Sequence, residues 1–371
     1  MPLASQRPLV SVVIPAFDAV STLSATLASV GAQTVSAIEI LIVNDGSTDE
    51  TRALAAAFVE RDARARILDQ NNRGVALARN HGLAVAVGRY VAFIDADDLW
   101  HPRHLEWLHA ALERTQAGLA CAGYRRIDAA GVVIGEAAIP AIEGRALVRM
   151  LYRNIIGNGS ALLVNRAVAL AAGGYEPRLR QSGVEGAEDY LFQLRCAART
   201  TLVSVGACTV GYRLLPNSMS SDERRMSRSL RLALRLFRAE HHGPLPRWTL
   251  HRWWIARDKI QLASHWLNGG YRCRASATLA MALLLDLIAT LAALCDRVGG
   301  RSKPHAQPWH GMPFEAVDPF LVPRNLAPNR ATRLDSKRWH WAEQADGVFS
   351  REKQVSWLDR FRIPTRSSRY S

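Results

Sequence analysis

Short apolar runs separated by amphipathic stretches dominate the first part of the chain. The runs are rich in aliphatic and β-branched residues, as buried strands are, and they lie at residues 10–14, 38–43, 66–68 and 90–94. Between them the apolar residues recur at helical spacing, as Leu23, Leu27 and Val30 do. This βαβαβαβα alternation with nearly continuous apolar strands predicts a parallel sheet that helices cover on both faces.

Prolines and polar residues mark the predicted ends of these elements. Pro15 is expected to stop the first strand, because proline has no N–H to donate to a sheet. Ser47 and Glu50 have the spacing of a capping box, which predicts that the second helix begins there. Pro102 suits a first helical turn, so we expect a helix over residues 101–116 with His101 as its cap.

The pattern changes after Gly118, where the apolar runs become shorter and lie between turns. Strands are expected at 119–124, 132–134, 160–164, 201–205 and 209–214, and helices at 146–152, 166–172 and 186–198. No linker-like stretch separates the two parts, so residues 1–220 are expected to form one α/β domain with halves at about 9–117 and 118–220. A basic and apolar helical region at 221–298 and an irregular extension at 299–371 complete the predicted organisation.

Positive charge is concentrated behind the predicted α/β domain. The 371 residues include 47 basic and 33 acidic side chains, which give a formal net charge of +14. Residues 1–221 nevertheless carry 21 arginines against 20 acids and are nearly neutral. A uniformly basic nucleic-acid-binding protein would not distribute its charge in this way, so we expect a neutral enzyme with a basic anchoring region.

The cysteines and the N-terminus favour a cytoplasmic location. The five cysteines contain no C-x-x-C pair, which argues against a zinc site or a disulfide framework and favours a reducing compartment. Residues 1–8 lack the charged and then apolar pattern of a secretion leader. We therefore expect a cytoplasmic protein.

Three carboxylates follow the apolar strand at 90–94, namely Asp95, Asp97 and Asp98. Like charges this close repel one another, and a buried carboxylate without a partner is costly. A divalent cation would relieve both effects, and Asp oxygens suit Mg²⁺ or Mn²⁺. Because ligands of open α/β sheets bind beyond the carboxyl ends of the strands, the cluster indicates a metal-assisted site for a phosphorylated ligand. The alternative is an acidic loop that leads into the next helix.

Four short motifs occur in one order at the ends of the predicted strands: residues 13–17, 43–49, 73–80 and 93–98. Together they resemble the family 2 glycosyltransferases, over about residues 9–215. The resemblance implies the GT-A fold, a Rossmann-like and mostly parallel sheet flanked by helices. It also implies an inverting, metal-dependent glycosyltransferase of the hexosyltransferase type, with Mg²⁺ or Mn²⁺. Such an enzyme moves a sugar from a nucleoside-diphosphate sugar, with UDP favoured, to a glycan or lipid-linked acceptor.

For the nucleotide sugar, the resemblance points to residues on successive turns: Pro15, Phe17, Asp18, Asp45, Gly74, Arg79, Asp95, Ala96 and Arg213. The family usually has Tyr-Asn where this chain has Phe17 and Asp18, which puts the contacts of Asp18 in question. Taken alone, Asp45 fits a turn before a helix equally well. Arg79 suits phosphate or carboxylate, but an ordinary helix surface is an equal alternative.

For the metal, Asp97 is the expected direct ligand. Asp95 is expected to hold the ribose or a metal-bound water, and Asp98 to act as a further ligand or as a support. The cation would neutralise the leaving diphosphate.

Glu188 and Asp189 form a second acidic feature. They resemble the acidic pair on the acceptor side of the family, which implies that Asp189 is the general base and that Glu188 orients the acceptor or supports the helix. Alternatively, acids in a first helical turn complement the helix dipole. Glu185 and Asp189 are a repelling i, i+4 pair, however, so we favour the functional interpretation.

The basic helical region has two interpretations. Met226, Leu230, Leu234 and Phe237 recur at helical spacing among many arginines, and residues 275–295 are apolar except for Asp286. These segments are either a helical subdomain packed on the enzyme or a peripheral attachment to the anionic inner face of the cell membrane. We favour attachment, because a lipid-linked acceptor would reside there.

Two other functions stay open. A nucleotidyltransferase can share a Rossmann-like sheet and metal carboxylates, but no Gly-rich loop with Lys or Arg follows the first strand. A nucleotide-sugar-binding protein without transferase activity would not need both acidic clusters.

Overall fold

A computed structural model describes residues 7–137, 142–152, 154–215, 222–241, 271–285 and 309–319, and positions 259, 263, 307, 343, 344 and 346. The chain divides into two compact units. The larger unit comprises Met1–Gly144, Arg153–His242 and Arg301–Ala327, and the smaller comprises Arg145–Tyr152, Gly243–Gly300 and Pro328–Ser371. The domain boundaries expected at residues 220 and 298 stay predictions.

The first half of the larger unit is a parallel β/α layer. Its elements are β1 (Val10–Ala16), α1 (Leu23–Gly31), β2 (Ile38–Asn44), α2 (Thr51–Val59), β3 (Ala65–Asp69), α3 (Val75–Val85) and β4 (Tyr90–Phe93). β1 pairs in parallel with both β2 and β4, and β2 pairs in parallel with β3. Every residue of β1 and β4 is buried, as strands covered on both faces require. The carboxyl ends of β1, β2 and β4 therefore meet at one edge of the sheet.

The next elements extend the sheet with both parallel and antiparallel pairs. They are β5 (Leu99–Trp100), α4 (His104–Thr115), β6 (Leu119–Ile127), β7 (Val133–Ala137), β8 (Glu143–Gly144), α5 (Leu147–Tyr152, in the smaller unit), β9 (Leu162–Asn165), α6 (Arg166–Ala171), α7 (Arg178–Gln181), α8 (Glu188–Ala197) and β10 (Leu202–Arg213). The strand order is β3-β2-β1-β4-β9-β6-β10-β5, with β7 on β6 and β8 on β10. β9 runs antiparallel to β4 and β6, whereas β10 runs parallel to β6 and antiparallel to β5. Because β9 runs antiparallel to β4, the residues just before β9 lie beside the carboxyl end of β4.

The predicted fold class is confirmed, since the sheet is mixed but mostly parallel in its first half and is flanked by helices. Some predicted boundaries are wrong. The second helix begins at Thr51 and not at Ser47, because Oδ1 of Asp49 accepts the N–H of Thr51 at 2.9 Å. The fourth begins at His104 and not at His101, because residues 99–100 form the short strand β5 against β10.

Two strand predictions also need correction. Pro15 does not stop β1, which continues to Ala16 with Pro15 opposite Val43 of β2. The two strands expected at 201–205 and 209–214 are one strand, β10, whose register against β6 shifts between Ser204 and Cys208. The irregularity explains why the sequence pattern breaks there.

Residues 309–319 belong to the larger unit although the sequence predicts only an irregular extension there. Trp309, Phe314 and Val317 are buried in one cluster with Leu99, Ile127 and Val133. The backbone N–H of Val133 donates to the carbonyl of Met312 at 2.9 Å. This part of the extension therefore covers the edge formed by β5 and β7.

Two helices follow the sheet. α9 (Glu223–Glu240) belongs to the larger unit, and α10 (Arg272–Leu285) to the smaller. Residues 286–295 of the predicted apolar segment and most of 320–371 lie outside the described residues. In the smaller unit, Asp346 accepts the N–H of Val148 at 2.7 Å, at the start of α5. None of the helices in the described part of the chain is long and apolar enough to cross a bilayer.

Candidate active site

The loop after β4 brings the three predicted aspartates to the carboxyl edge of the sheet. Ser160, in the segment before β9, holds this loop in place: its Oγ accepts the N–H of Asp95 at 3.0 Å and donates to Oδ2 of Asp98 at 2.5 Å. The carbonyl of Ser160 also accepts Nε1–H of Trp100 at 2.8 Å. One buried serine therefore fixes both ends of the acidic loop.

Asp98 faces the interior. It is fully buried, and its second oxygen, Oδ1, accepts the N–H of Arg213 at 3.0 Å. Burial raises the pKa of Asp98 well above its usual value, and the nearby charges of Asp97 and Asp95 add to the rise. Asp98 is expected from the sequence to be either a further metal ligand or a support, and these contacts favour a support for the loop.

Asp95 and Asp97 are the members of the cluster that solvent reaches. Oδ1 of Asp95 forms an ion pair with Nη2 of Arg79. Burial raises the pKa of Asp97 to about 6, and the charge of Asp95 adds to the rise. The two side chains present hard carboxylate oxygens where solvent reaches them, so they fit Mg²⁺ or Mn²⁺. Within the described residues, no three His, Cys, Asp or Glu side chains converge so that protein alone could hold an ion.

Arg79 lies between the two acidic features of the sequence. Its side chain is only 5% exposed, and its Cζ lies 4.9 Å from the centre of the Tyr175 ring. A Cβ placed on Gly159 would lie 3.5 Å from Nη2 of Arg79 and 3.5 Å from Cβ of Asp189. Arg79 thus approaches Asp95 on one side and Asp189 on the other, across a position that has no side chain.

Glu188 and Asp189 form the first turn of α8. Burial raises the pKa of Asp189, and the charge of Arg79 opposes this rise. Oδ1 of Asp189 accepts its neighbour's N–H, that of Tyr190, at 2.7 Å. Oε2 of Glu188 accepts the N–H of Gly186 at 2.8 Å, whereas its Oε1 is buried without a hydrogen-bond partner among the described residues. A buried acceptor of this kind is suited to a donor group on a ligand.

Asp45, at the end of β2, shapes the loop before α3. It is buried, and its Oδ1 accepts from Nε2 of Gln70 at 2.7 Å and from the N–H of Arg73 at 2.8 Å. Its Oδ2 accepts the N–H of Gly74 at 2.8 Å. Gly74 has a φ of 88°, and a Cβ there would collide with the guanidinium of Arg180. The carboxylate is therefore pre-oriented, and Oδ2 keeps acceptor capacity for a ligand.

The loop after β1 lies beside this position. Phe17 is 48% exposed, which leaves its ring available to a ligand. Asp18 has a φ of 44°, and its Oδ1 accepts the N–H of Thr48 at 2.8 Å. Asp18 therefore ties the β1 and β2 loops together.

Pro15 is buried within β1, and the carbonyl of Ala96 accepts from Oγ1 of Thr26 at 3.0 Å. Both shape the site through the backbone.

Arg213, expected among the residues for the nucleotide sugar, contacts the acidic loop. It is buried, its Nε donates to the carbonyl of Asp97 at 2.7 Å, and its Nη1 donates to the carbonyls of Asp128 and Ala129 at 2.9 and 2.5 Å. These bonds support a role in holding the acidic loop against the β6–β7 turn.

The structure adds Ser160 and Tyr175 to the site. Ser160 belongs to a short polar stretch that the sequence presents only as a turn before a strand, and its partners lie more than sixty residues away. Tyr175 stacks on Phe192 of α8 with ring centres 4.3 Å apart, and its buried hydroxyl has no hydrogen-bond partner among the described residues. Spacing in the sequence does not reveal either pairing.

A sheet of this order is an α/β sheet with acidic loops at its carboxyl edge, which is where the ligands of such sheets bind. The family model described as "Glycosyl transferase family 2" matches residues 11–171. TuaG of Bacillus subtilis (strain 168), a putative teichuronic acid biosynthesis glycosyltransferase, is 30% identical over 224 residues, which are 60% of this chain and 85% of TuaG. The chain belongs to glycosyl transferase family 2, which confirms the resemblance in its sequence.

Other comparisons are more limited. Three further bacterial glycosyltransferases are 35–44% identical, but the chain spans only 28%, 34% and 40% of their length. The structure of TarS residues 1–349 from S. aureus with UDP-GlcNAc has a TM-score of 0.55 at 16% identity, covering 78% of this chain and 87% of that one. The mannosyltransferase PcManGT from Pyrobaculum calidifontis, in complex with GDP-Man and Mn²⁺, has a TM-score of 0.53 at 20% identity, covering 78% and 81%. At these identities the likeness establishes the fold.

Proposed function

We propose that this protein is an inverting, metal-dependent glycosyltransferase that moves a sugar from a nucleoside-diphosphate sugar to an acceptor hydroxyl. The observation that carries the proposal is the position of Arg79, which is paired with Asp95 of the donor-side loop and flanks Gly159 together with Asp189. The buried guanidinium of Arg79 thus connects the loop that would hold the diphosphate with the carboxylate that would accept a proton.

In this reaction the acceptor oxygen attacks the anomeric carbon, and the bond from that carbon to the diphosphate oxygen breaks on the opposite face. The proton of the acceptor hydroxyl passes to Asp189. Burial raises the pKa of Asp189 and makes its carboxylate a stronger base, and the positive charge of Arg79 opposes this rise. Glu188 would orient the acceptor through its buried Oε1.

On the donor side, Asp97 would hold Mg²⁺ or Mn²⁺ together with the diphosphate oxygens, with Asp95 beside it. Mg²⁺ is commonly held by one or two carboxylates and substrate phosphates, which suits a site with few protein ligands. When bound, the cation supplies Lewis-acid stabilisation of the leaving diphosphate. Asp98, Ser160 and Arg213 keep the loop in position.

A UDP-type donor is favoured because Oδ2 of Asp45 keeps capacity to accept the imide N–H of uracil, and the exposed ring of Phe17 lies on a neighbouring loop. The UDP-GlcNAc bound to TarS supports this choice, and the Mn²⁺ in PcManGT supports the cation. The acceptor would be a glycan or a lipid-linked molecule, and the description of TuaG as a putative teichuronic acid biosynthesis glycosyltransferase supports a role in polysaccharide biosynthesis.

The experiment is to incubate the full chain with UDP- and GDP-sugars, with Mn²⁺ or with EDTA, and to measure release of the nucleoside diphosphate. We expect metal-dependent release from one class of donor, with thermal stabilisation by the same nucleotide. Nucleotide binding without release would favour a binding protein, and release of pyrophosphate from a nucleoside triphosphate would favour a nucleotidyltransferase.

We also propose a peripheral contact with the anionic inner face of the cell membrane, through α9. Arg228, Arg231, Arg235 and Arg238 are exposed and follow one another at intervals of three, four and three residues, so they share one helix face. The opposite face is buried through Ser229, Ala233, Leu234 and Phe237. Four guanidinium groups in a row suit an anionic lipid surface.

Vesicle sedimentation tests this contact. The full chain is expected to sediment with phosphatidylcholine vesicles that contain phosphatidylglycerol and not with phosphatidylcholine alone. Replacing the four α9 arginines by Gln should abolish sedimentation. Replacing four exposed arginines of the first domain half, Arg52, Arg89, Arg103 and Arg114, changes the net charge equally and should not. Equal loss in both variants would contradict a specific role of α9.

A further inference from the structure

The loop that leads into α8 is attached to α9 at successive residues. The N–H of Ala187 donates to Oγ of Ser229 at 2.9 Å, in a buried position. Oε2 of Glu185 forms an ion pair with Nη2 of Arg225 at 2.5 Å. One helix, about forty residues further along the chain, therefore holds the segment that immediately precedes the acidic pair.

Gly186, which lies between Glu185 and Ala187, allows this loop to approach α9 closely. It has a φ of 128°, and a Cβ there would lie 2.9 Å from Cε of Met226. Only glycine allows this conformation at this distance from α9 without strain. The approach brings the two helices close enough for a side chain as short as serine to reach the backbone.

Ser229 supplies what the start of α8 lacks. Ala187 occupies the cap position, and no side-chain hydrogen bond caps the helix from there. The first N–H groups of a helix have no partner within the helix, and Oγ of Ser229 is the acceptor for the N–H of Ala187. Ser229 is fully buried, so water does not replace its hydroxyl.

We infer that Ser229 is a positioning residue for the Glu188–Asp189 pair, an inference that rests on the proposed function. Without the hydroxyl, the N–H of Ala187 is left buried with no acceptor, which is costly. The start of α8 then shifts toward another partner, and Asp189 moves with it. A small displacement of a general base lowers the reaction rate strongly, because proton transfer requires hydrogen-bond distance.

The experiment compares Ser229→Ala with Ser204→Ala. Ser204 is a matched control, because its Oγ also accepts a backbone N–H, that of Ile142 at 2.8 Å, in a strand end away from the acidic residues. For Ser229→Ala we expect turnover of the UDP-sugar to fall about tenfold or more, with the affinity for UDP and Mn²⁺ within about twofold of wild type. Ser204→Ala, at a half-buried position, should lose no more thermal stability than Ser229→Ala and should keep its turnover per folded molecule.

Arg225→Gln is a second test, because it removes the ion pair with Glu185 in the same loop but no buried hydroxyl. It should also lower turnover while the affinity for UDP and Mn²⁺ is retained. Turnover of both variants within about twofold of wild type would overturn the inference. So would equal losses in Ser229→Ala and Ser204→Ala, since these would show a merely structural role.

Amide hydrogen exchange separates this inference from the proposed function. In Ser229→Ala, amides of residues 187–191 should exchange at least about tenfold faster, while those of β1 are unchanged. If the wild-type protein turns over no nucleotide sugar, the proposed function fails but the exchange result still decides whether Ser229 orders this segment. Unchanged exchange at residues 187–191 would overturn the inference whatever the activity.

Discussion

Oγ of Ser160 lies 2.5 Å from Oδ2 of Asp98, and the same oxygen accepts the backbone N–H of Asp95. The Ser160 hydroxyl thus donates a hydrogen bond to the buried carboxylate of Asp98 and accepts one from the backbone of Asp95. The acidic loop is held from the segment just before the antiparallel strand β9, and not only by its own turn. This relationship makes Ser160 part of the candidate site.

We expect Ser160→Ala to unfold the loop locally. The change leaves Asp98 without its hydroxyl donor in a fully buried position, so the free energy of unfolding should fall by about 1–3 kcal/mol. UDP and Mn²⁺ binding, measured by calorimetry, should weaken as well. Ser11→Ala is the matched control: its Oγ also donates to a carboxylate, that of Glu39 at 2.5 Å, and accepts the N–H of Gly88 at 2.9 Å, at the opposite end of β1. Equal weakening of UDP binding in both variants would count against Ser160.

Arg79→Gln should change the pH dependence of turnover. The positive charge of Arg79 opposes the rise in the pKa of Asp189 that burial causes, so its removal should raise that pKa further. Because the base works when deprotonated, the acid limb of the pH–rate profile should move to higher pH, and the rate at neutral pH should fall. Arg52→Gln removes an exposed ion pair with Asp69 and should leave the profile unchanged. An acid limb at the wild-type position in Arg79→Gln would contradict the electrostatic link.

Gly159→Ala tests whether the space between Arg79 and Asp189 is used. The new Cβ would lie 3.5 Å from each side chain, which is an ordinary contact, so stability should change by less than about 1 kcal/mol. Turnover should nevertheless fall by about tenfold or more while UDP binding is retained, since the methyl group occupies the space beside the base. Unchanged turnover would place the acceptor elsewhere.

Because His104 is buried, we expect the folded protein to lose stability in acid. It is fully buried, its Nδ1 lies 2.6 Å from Oγ1 of Thr209, and burial lowers its pKa to about 3. The unfolded chain binds a proton near pH 6.5 and the folded chain does not, so stability present above that pH is lost as the pH falls toward 3. Between pH 7 and 5 this loss amounts to about 2 kcal/mol.

Urea unfolding at pH 7 and pH 5 measures this effect. Carboxylates with raised pKa values act in the opposite direction, so the comparison is with His104→Gln, in which the loss due to His104 should disappear. The same pH dependence in the variant and the wild type would contradict the assignment.

Much of the fold can be predicted from the sequence, because the strands of its first half are short and strongly apolar runs of residues. The alternation of residues 10–94 predicts the parallel layer, and the acidic residues after its strands predict where the site lies. Asp49 shows the limit: its Oδ1 accepts the N–H of Thr51, the first residue of α2, while the spacing of Ser47 and Glu50 mimics a capping box. Side-chain caps of this kind depend on the loop conformation, which sequence spacing alone does not determine.

The parts of the site that the sequence does not reveal all depend on long-range pairings. Ser160 meets Asp98 only because β9 inserts antiparallel beside β4, and Arg213 meets the acidic loop only because β10 pairs with β5. Arg79 appears in the sequence as one residue on a helix surface, but in the fold it is buried against Tyr175. Trp309 and Phe314, in a stretch without periodicity, join a buried apolar cluster with Leu99, Ile127 and Val133, which lie far away in the sequence.

The central claim is that Asp189 is the base of a sugar transfer, and Asp189→Asn tests it most directly. The amide keeps the shape of the side chain and cannot take a proton. We predict that the variant binds UDP and Mn²⁺ as the wild type does, by calorimetry, and that its release of UDP from the UDP-sugar falls by about 10²–10⁴-fold. Release within about threefold of wild type, with binding intact, would contradict the account.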